Sequence, residues 1–251
     1  MNKAIRAIPN VLTLGNLFCG VCAILASLQW HAPLWVSLFF ISLSAILDLF
    51  DGLVARLLHA QSSIGADLDS LADIVSFGLA PMLILIEQVG DSYKGLVHEG
   101  HFYTLQTILL LPVLAGALRL ARFNNDPSQG LFFRGIPIPA NALFWLGFSA
   151  IYKELLLSSP ILYRSILISI LSISFSYLML CPCRFLSIKF KLLRSEEPHR
   201  TIRNSWTILL VLLLLLMIRL GWSGFAIFIP CYIVVSRLAI FILNKKNILD
   251  K

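Results

Sequence analysis

Apolar residues fall into long runs at 11–30, 34–57, 70–90, 103–122, 137–156, 161–181, 205–220 and 222–243, separated by short polar breaks. Each run is on the scale of the roughly 20 residues a helix needs to cross a bilayer. Inside lipid the backbone must satisfy its own hydrogen bonds, so spans in this pattern are helices rather than open strands. The runs predict an all-α, polytopic membrane helix bundle, with six core transmembrane helices and two more at the C-terminus. The last two meet at Gly221-Trp222 and read either as a helical hairpin or as one span and a re-entrant piece. No internal repeat or low-complexity linker divides the chain, so a single membrane domain is expected over 1–251. Its catalytic part would be 1–180, and 181–251 would hold a basic cytoplasmic loop and two spans.

Composition agrees with the pattern. The chain is 58% hydrophobic and 13% charged, against about 25% charged in ordinary soluble domains. The net charge of +7 would raise nucleic acid as a partner in a soluble protein. Here the basic residues sit in the breaks between spans, so membrane lipid is the expected partner and nucleic acid is not. With the N-terminus in the cytoplasm, only Lys94, Lys153, Arg164 and Arg219 of the 20 Lys and Arg residues fall outside. That bias places both termini in the cytoplasm and favours an even number of spans. Lys3 and Arg6 before an apolar run resemble the start of a signal peptide. The run is too long for a signal core and is broken by Asn16, so it reads as a retained span. The basic stretch 182–204 reads as a solvated inner loop near anionic lipid. Most of Cys19, Cys22, Cys181, Cys183 and Cys231 sit in apolar runs, Cys181-Pro-Cys183 has neither zinc nor redox spacing, and all five read as packing residues.

Against this apolar background stand Asp48, Asp51, Asp69 and Asp73. One carboxylate at the centre of a membrane helix costs about 3 kcal/mol, so four together call for positive charge between them. Asp48 and Asp51 are three residues apart, Asp69 and Asp73 four apart, and each pair shares a helix face. A connecting loop at roughly 57–66 makes the two helices antiparallel neighbours whose acids converge. Oxygen donors of this kind suit two hard cations, Mg²⁺ or Mn²⁺. His31, His59, His98, His101 and His199 fall in loop or interface positions, so no zinc site is expected. Arg56 marks the inner end of the second span, with Asp51 about 7–8 Å deeper at the usual helical rise. The site therefore lies near the cytoplasmic interface. Gly52, Ala55 and Gly65 are small enough to let a bulky ligand approach the backbones, and Arg56 can fork onto phosphate.

The full pattern is Asp48-x2-Asp51-Gly52-x2-Ala55-Arg56-x8-Gly65-x3-Asp69-x3-Asp73, and all eight positions match the signature of the CDP-alcohol phosphotransferase family, which this chain resembles. The flanking runs Ile8-Pro9-Asn10-Val-Leu-Thr13-Leu-Gly-Asn16, Ser76-Phe-Gly78-Leu-Ala-Pro81, Arg119-Leu-Ala-Arg122-Phe-Asn124 and Gly135-Ile-Pro137-Ile-Pro139 are similar to the membrane-type bacterial members that make phosphatidylserine. The resemblance covers roughly residues 5–180. It implies that Asp48, Asp51 and Asp69 bind metal, and that Asp73 touches metal and acts as general base. It also implies that Gly52, Arg56 and Gly65 contact the cytidine diphosphate of CDP-diacylglycerol, with Ser62 and Ser63 as helpers. Pro9, Asn10, Thr13 and Asn16 are available to the nucleotide from the first helix. The implied reaction is transfer of the phosphatidyl group to L-serine, giving phosphatidylserine and CMP, in the bacterial inner membrane; relatives are commonly homodimers, so the resemblance implies a homodimer by analogy.

For the acceptor carboxylate the residues at hand are Arg119 and Arg122, which serve equally well as topology anchors. Asn124 and Asn141 read chiefly as satisfied polar groups, and Asp67 stands beside the motif without belonging to it. Read from the acids alone, other acceptors (glycerol phosphate, inositol or its phosphate) and a cation transporter stay open. The transporter would require paired repeats or broken helices in both halves, and would leave Arg56 and the small residues unexplained. A non-catalytic scaffold gives no reason for the acids. The phospholipase-D-like route to the same product uses a His-x-Lys motif, which this chain does not contain.

Overall fold

The structure, a computed structural model, describes residues 3–60, 62–93, 95, 99–125, 132–156, 159–186 and 199–245. Lys94, Lys246, Lys251 and the 187–198 part of the basic segment, which carried part of the charge reading, lie outside the described residues. Helix α1 (Lys3–Leu28) is followed by α2 (Leu34–Leu57) and α3 (Ser63–Asp73). A π-helical segment, Ile74–Leu79, joins α3 to α4 (Ala80–Tyr93) without a break. Then come α5 (Glu99–Leu109), α6 (Leu111–Asn124), α7 (Ile138–Leu156), α8 (Ile161–Leu180), α9 (His199–Leu220) and α10 (Gly224–Lys245).

Six helical stretches are long and apolar enough to cross a membrane: Ala7–Leu28, Leu34–Leu57, Ser63–Tyr93, Glu99–Asn124, Ile161–Leu180 and Arg200–Lys245. The last of these folds back through a 3-10 turn at Gly221–Ser223 into α9 and α10, and α7 adds a shorter apolar helix. The predicted bundle with a C-terminal helical pair is therefore present. Two features differ from expectation. The third rod begins at Ser63, because Ser62 caps it: its Oγ accepts from the Gly65 N–H at 3.0 Å. And β1 (Phe132–Arg134) pairs antiparallel with β2 (Arg184–Leu186), a ribbon too short to leave a periodic pattern.

The bundle is arranged for lipid. On α1 the apolar Val11, Leu14, Phe18 and Val21 face outward, while Thr13, Asn16, Cys19, Gly20 and Ala23 face inward. On α8 the exposed stripe is Leu162, Ile166, Ile170, Ile173 and Tyr177, at helical spacing. In water, so much exposed apolar surface would be a liability; against acyl chains it is matched. Part of the core is an aromatic cluster, where Phe144 stacks on Phe175 at 4.0 Å between ring centres and Trp145 and Phe148 close around them. Cys19, Cys22 and Cys181 are buried and unbridged, in keeping with packing roles.

Two close approaches lock the architecture. A Cβ on Gly20 would collide with Ser76, so α1 can lie against the π segment only because residue 20 is glycine. A Cβ on Gly147 would strike the backbone of Phe225 and Ala226, so α7 and α10 meet nearly backbone to backbone.

Candidate active site

Helix α1 packs along both α2 and α3, which among the described residues barely touch each other. The expectation of directly packed neighbours needs this refinement: α1 holds the two helices beside each other while a cleft stays open between them. Side chains, not backbones, fill the gap. On α2, Ser37, Ile41, Ser44, Asp48, Asp51 and Ala55 repeat at three and four residues and form one stripe. On α3, Gly65, Asp69 and Asp73 do the same.

The acids converge as the spacing predicts. One carboxylate oxygen from each of Asp48, Asp51 and Asp69 lies within 4.8 Å of the other two. Asp73 stands next to Asp48 and Asp69, one turn deeper. It is buried, and Asn16 Nδ2 donates to its Oδ1 at 3.4 Å. The π segment begins directly after Asp73 and turns Ser76 and Phe77 into the core. Such single-turn π segments are frequent at functional sites.

Helix α1 supplies the supports. Thr13 Oγ1 lies 2.6 Å from Asp51 Oδ2 and 3.1 Å from the Pro9 carbonyl, so its one proton serves the nearer, charged acceptor. Asn16, with no exposed surface, donates to Asp73, accepts from the Ser44 hydroxyl, and takes the Ser76 hydroxyl on its carbonyl at 3.1 Å. Thr13 and Asn16 were counted from sequence as residues for the nucleotide; their side chains are instead turned to the acids. Ser44 had not been singled out. Its position four residues before Asp48, on the same face, was the signal available.

The remaining predicted residues rim the cleft. Nothing within 4 Å would meet a Cβ on Gly52, so open space lies directly over the α2 backbone beside Asp51. Arg56 is exposed and its Nε donates to the Gly52 carbonyl at 2.9 Å. Gly65 sits beneath Asn10, whose Oδ1 would lie 3.2 Å from an added Cβ, and Pro9 is buried one residue before. Ser62, expected to help at the nucleotide, caps α3, and Ser63 is exposed beside it. Arg119 lies near Asp73, with its Nε buried and without a hydrogen-bond partner. Arg122 is exposed. Asn124 donates to Ser70 Oγ at 2.8 Å, and Asn141 accepts from Trp145 Nε1 at 3.1 Å, as expected for satisfied polar groups, although Asn141 Nδ2 has no partner. Asp67 points to solvent.

The donor set fits a hard divalent cation. Three carboxylates converge, Asp69 Oδ1 is buried with no hydrogen-bond partner, and among the described residues neither sulfur nor imidazole shares the cluster. Converging acids beside a small-residue floor, held in a bundle of lipid-facing helices, define a membrane-embedded site suited to a divalent cation and a ligand lying close to the helix backbone.

Comparison with known proteins agrees. The profile of the CDP-alcohol phosphatidyltransferase family matches residues 6–171. A Bacillus subtilis (strain 168) protein named CDP-diacylglycerol–serine O-phosphatidyltransferase is 35% identical over 199 residues, covering 77% of this chain and 97% of its own. A Methanocaldococcus jannaschii protein of the same name is 37% identical over 172 residues, covering 68% of this chain and 73% of its own. A Helicobacter pylori (strain J99) protein of that name is 39% identical over 139 residues, 54% of either chain. The chain thus spans nearly all of the first relative and about half of the third. This protein belongs to the CDP-alcohol phosphatidyltransferase family. It is an integral membrane transferase of phospholipid synthesis, and the cation-transporter reading of its acids falls away.

Proposed function

We propose that this protein transfers the phosphatidyl group of CDP-diacylglycerol to L-serine, releasing phosphatidylserine and CMP. The observation that carries the reading is the convergence of Asp48, Asp51 and Asp69 beside the open floor at Gly52, with the buried Asp73 one turn deeper. The acceptor follows from the names of the relatives and from the residues flanking the signature.

The acyl chains lie among the outward apolar faces of the bundle, and the pyrophosphate enters the cleft between α2 and α3. The cytidine diphosphate rests on Gly52 and Gly65, with Pro9 and Asn10 beside it and Arg56 at the mouth forking onto phosphate. Asp48, Asp51 and Asp69, with Asp73 at their edge, would hold two divalent cations, Mg²⁺ or Mn²⁺. Bound there, the ions supply Lewis-acid polarisation of the phosphoryl oxygens and neutralise the departing phosphate. Thr13 fixes the Asp51 carboxylate and Asn16 fixes Asp73. Asp73 takes the proton from the serine hydroxyl. The serine oxygen then bonds to the phosphorus that carries diacylglycerol, the pyrophosphate P–O bond on that phosphorus breaks, and CMP departs with the electron pair. Arg119, a short way from Asp73, holds the serine carboxylate, with Arg122 nearer the surface.

The same proposal places catalysis within 1–180 of a single domain, both termini and the site at the cytoplasmic face of the bacterial inner membrane, and two chains in a homodimer. The uneven spread of Lys and Arg supports the orientation. The test is purified protein in lipid nanodiscs, given CDP-diacylglycerol and a panel of alcohols, with the product lipids identified by mass. Phosphatidylserine formed with serine alone is the expected result. Turnover with glycerol 3-phosphate or inositol but not serine would overturn the acceptor, and no turnover with any alcohol would overturn the reaction.

A further inference from the structure

Ser44 lies one turn before Asp48 on the acid-bearing face of α2 and has no exposed surface. A helical serine ordinarily gives its proton to the carbonyl four residues back, as Ser42, Ser176 and Ser205 do here. Ser44 instead crosses to α1, where its hydroxyl donates to Asn16 Oδ1. The main chain of the same asparagine is held from a third element. Ser76 Oγ, in the π segment, donates to the Asn16 carbonyl at 3.1 Å, in the space that the missing side chain of Gly20 leaves open. With its carbonyl on Ser76 and its amide oxygen on Ser44, Asn16 has Nδ2 left, and this donates to Asp73 Oδ1 at 3.4 Å.

The two ends of an asparagine amide are nearly alike in shape, so packing alone does not choose which one faces Asp73. Hydrogen bonding does. A carboxylate only accepts, so the donating end must face it. The amide oxygen then points away and needs a donor, which Ser44 supplies. Alanine at 44 would leave that buried oxygen unmet, a cost that a shift of the amide relieves. The contact from Nδ2 to Asp73 is at the long end of hydrogen bonds, so a small shift breaks it.

We propose that Ser44 is a positioning residue for the reaction: it holds the Asn16 amide in the one orientation that aims the Asp73 carboxylate at the acceptor hydroxyl. This rests on Asp73 serving as the base. It also gives the π segment a role, because Asp73 directly precedes it and Ser76, within it, anchors the same asparagine.

Ser44→Ala removes one oxygen and suits a helix. Full-length wild type, Ser44→Ala, Asn16→Ala and the double variant are assayed in nanodiscs for kcat, KM of serine and KM of CDP-diacylglycerol. Expected for Ser44→Ala is a fall of about tenfold in kcat, with both KM values within about threefold of wild type. In the Asn16→Ala background the same change should cost less than about twofold, because Ser44 acts through Asn16. The inference is overturned if Ser44→Ala keeps kcat within about twofold of wild type, or if both KM values rise in step while kcat holds. It is overturned equally if the loss is as large without Asn16 as with it, which is what loosened packing would give. Wild type that makes no phosphatidylserine would instead refute the parent reading, an outcome visible before any variant is compared.

Discussion

Replacing Thr13 by valine isolates one oxygen. The side chain is 3% exposed, and valine has nearly its shape, so the perturbation is the loss of the hydroxyl that reaches Asp51 Oδ2 at 2.6 Å. A hydrogen bond to a charged group contributes about 1.5–3 kcal/mol. At 1.36 kcal/mol per tenfold, that is roughly a 10- to 150-fold effect. Losing the residue that orients a metal-binding carboxylate lowers metal affinity about 10- to 100-fold in known sites, which agrees. The expected result is therefore a Mg²⁺ activation curve moved about 10- to 100-fold to higher concentration, with most of kcat recovered at saturating Mg²⁺. The assay is CMP release against free Mg²⁺, alongside a thermal melt in the same lipid. An unmoved Mg²⁺ curve in a folded variant would refute the reasoning, because the Thr13–Asp51 contact would then have no bearing on the ions.

Asp73→Asn keeps size and polarity, so the protein should insert and melt like wild type while CMP release falls by at least about 10²-fold; turnover at the wild-type rate would remove Asp73 from the base role. Gly52→Ala has opposite effects on stability and activity. The added methyl meets nothing and removes a helix-interior glycine, so stability should hold or rise by about 0.5–1 kcal/mol while the KM for CDP-diacylglycerol increases. An unchanged lipid KM would mean that the substrate does not lie on α2 there. Gly147→Val forces α7 from α10 and should destabilise the protein by about 1–3 kcal/mol, read as a lower melting temperature; an unchanged melt would contradict the close helix contact.

Much of this was legible before any coordinates. Membrane helices announce themselves through unbroken apolar length, and the spacing of Asp48, Asp51, Asp69 and Asp73 fixed which faces the acids share. Their convergence on α2 and α3 followed from helix geometry and a short loop. What sequence concealed was support and shape. Thr13 and Asn16 stood out as polar residues in an apolar helix, but a lone position cannot say whether it points at a ligand or at Asp51 and Asp73. Ser44 looked like any membrane serine until its hydroxyl met Asn16. The π segment after Asp73 adds one residue to a turn and leaves no compositional trace. The ribbon at 132–134 and 184–186 joins segments some fifty residues apart, which local pattern cannot pair. Tyr232 belongs to the same class, since its contacts with β2 and α9 exist only once the C-terminal pair has docked.

The central claim is that carboxylates of α2 and α3 share divalent cations. Crystals of the protein grown with Mn²⁺ and measured for anomalous scattering test it directly. The account predicts strong Mn²⁺ peaks within direct coordination distance of oxygens of Asp48, Asp51 and Asp69, lost when Asp48 is changed to Asn. A fully active preparation whose map shows no ion between those three side chains would contradict it.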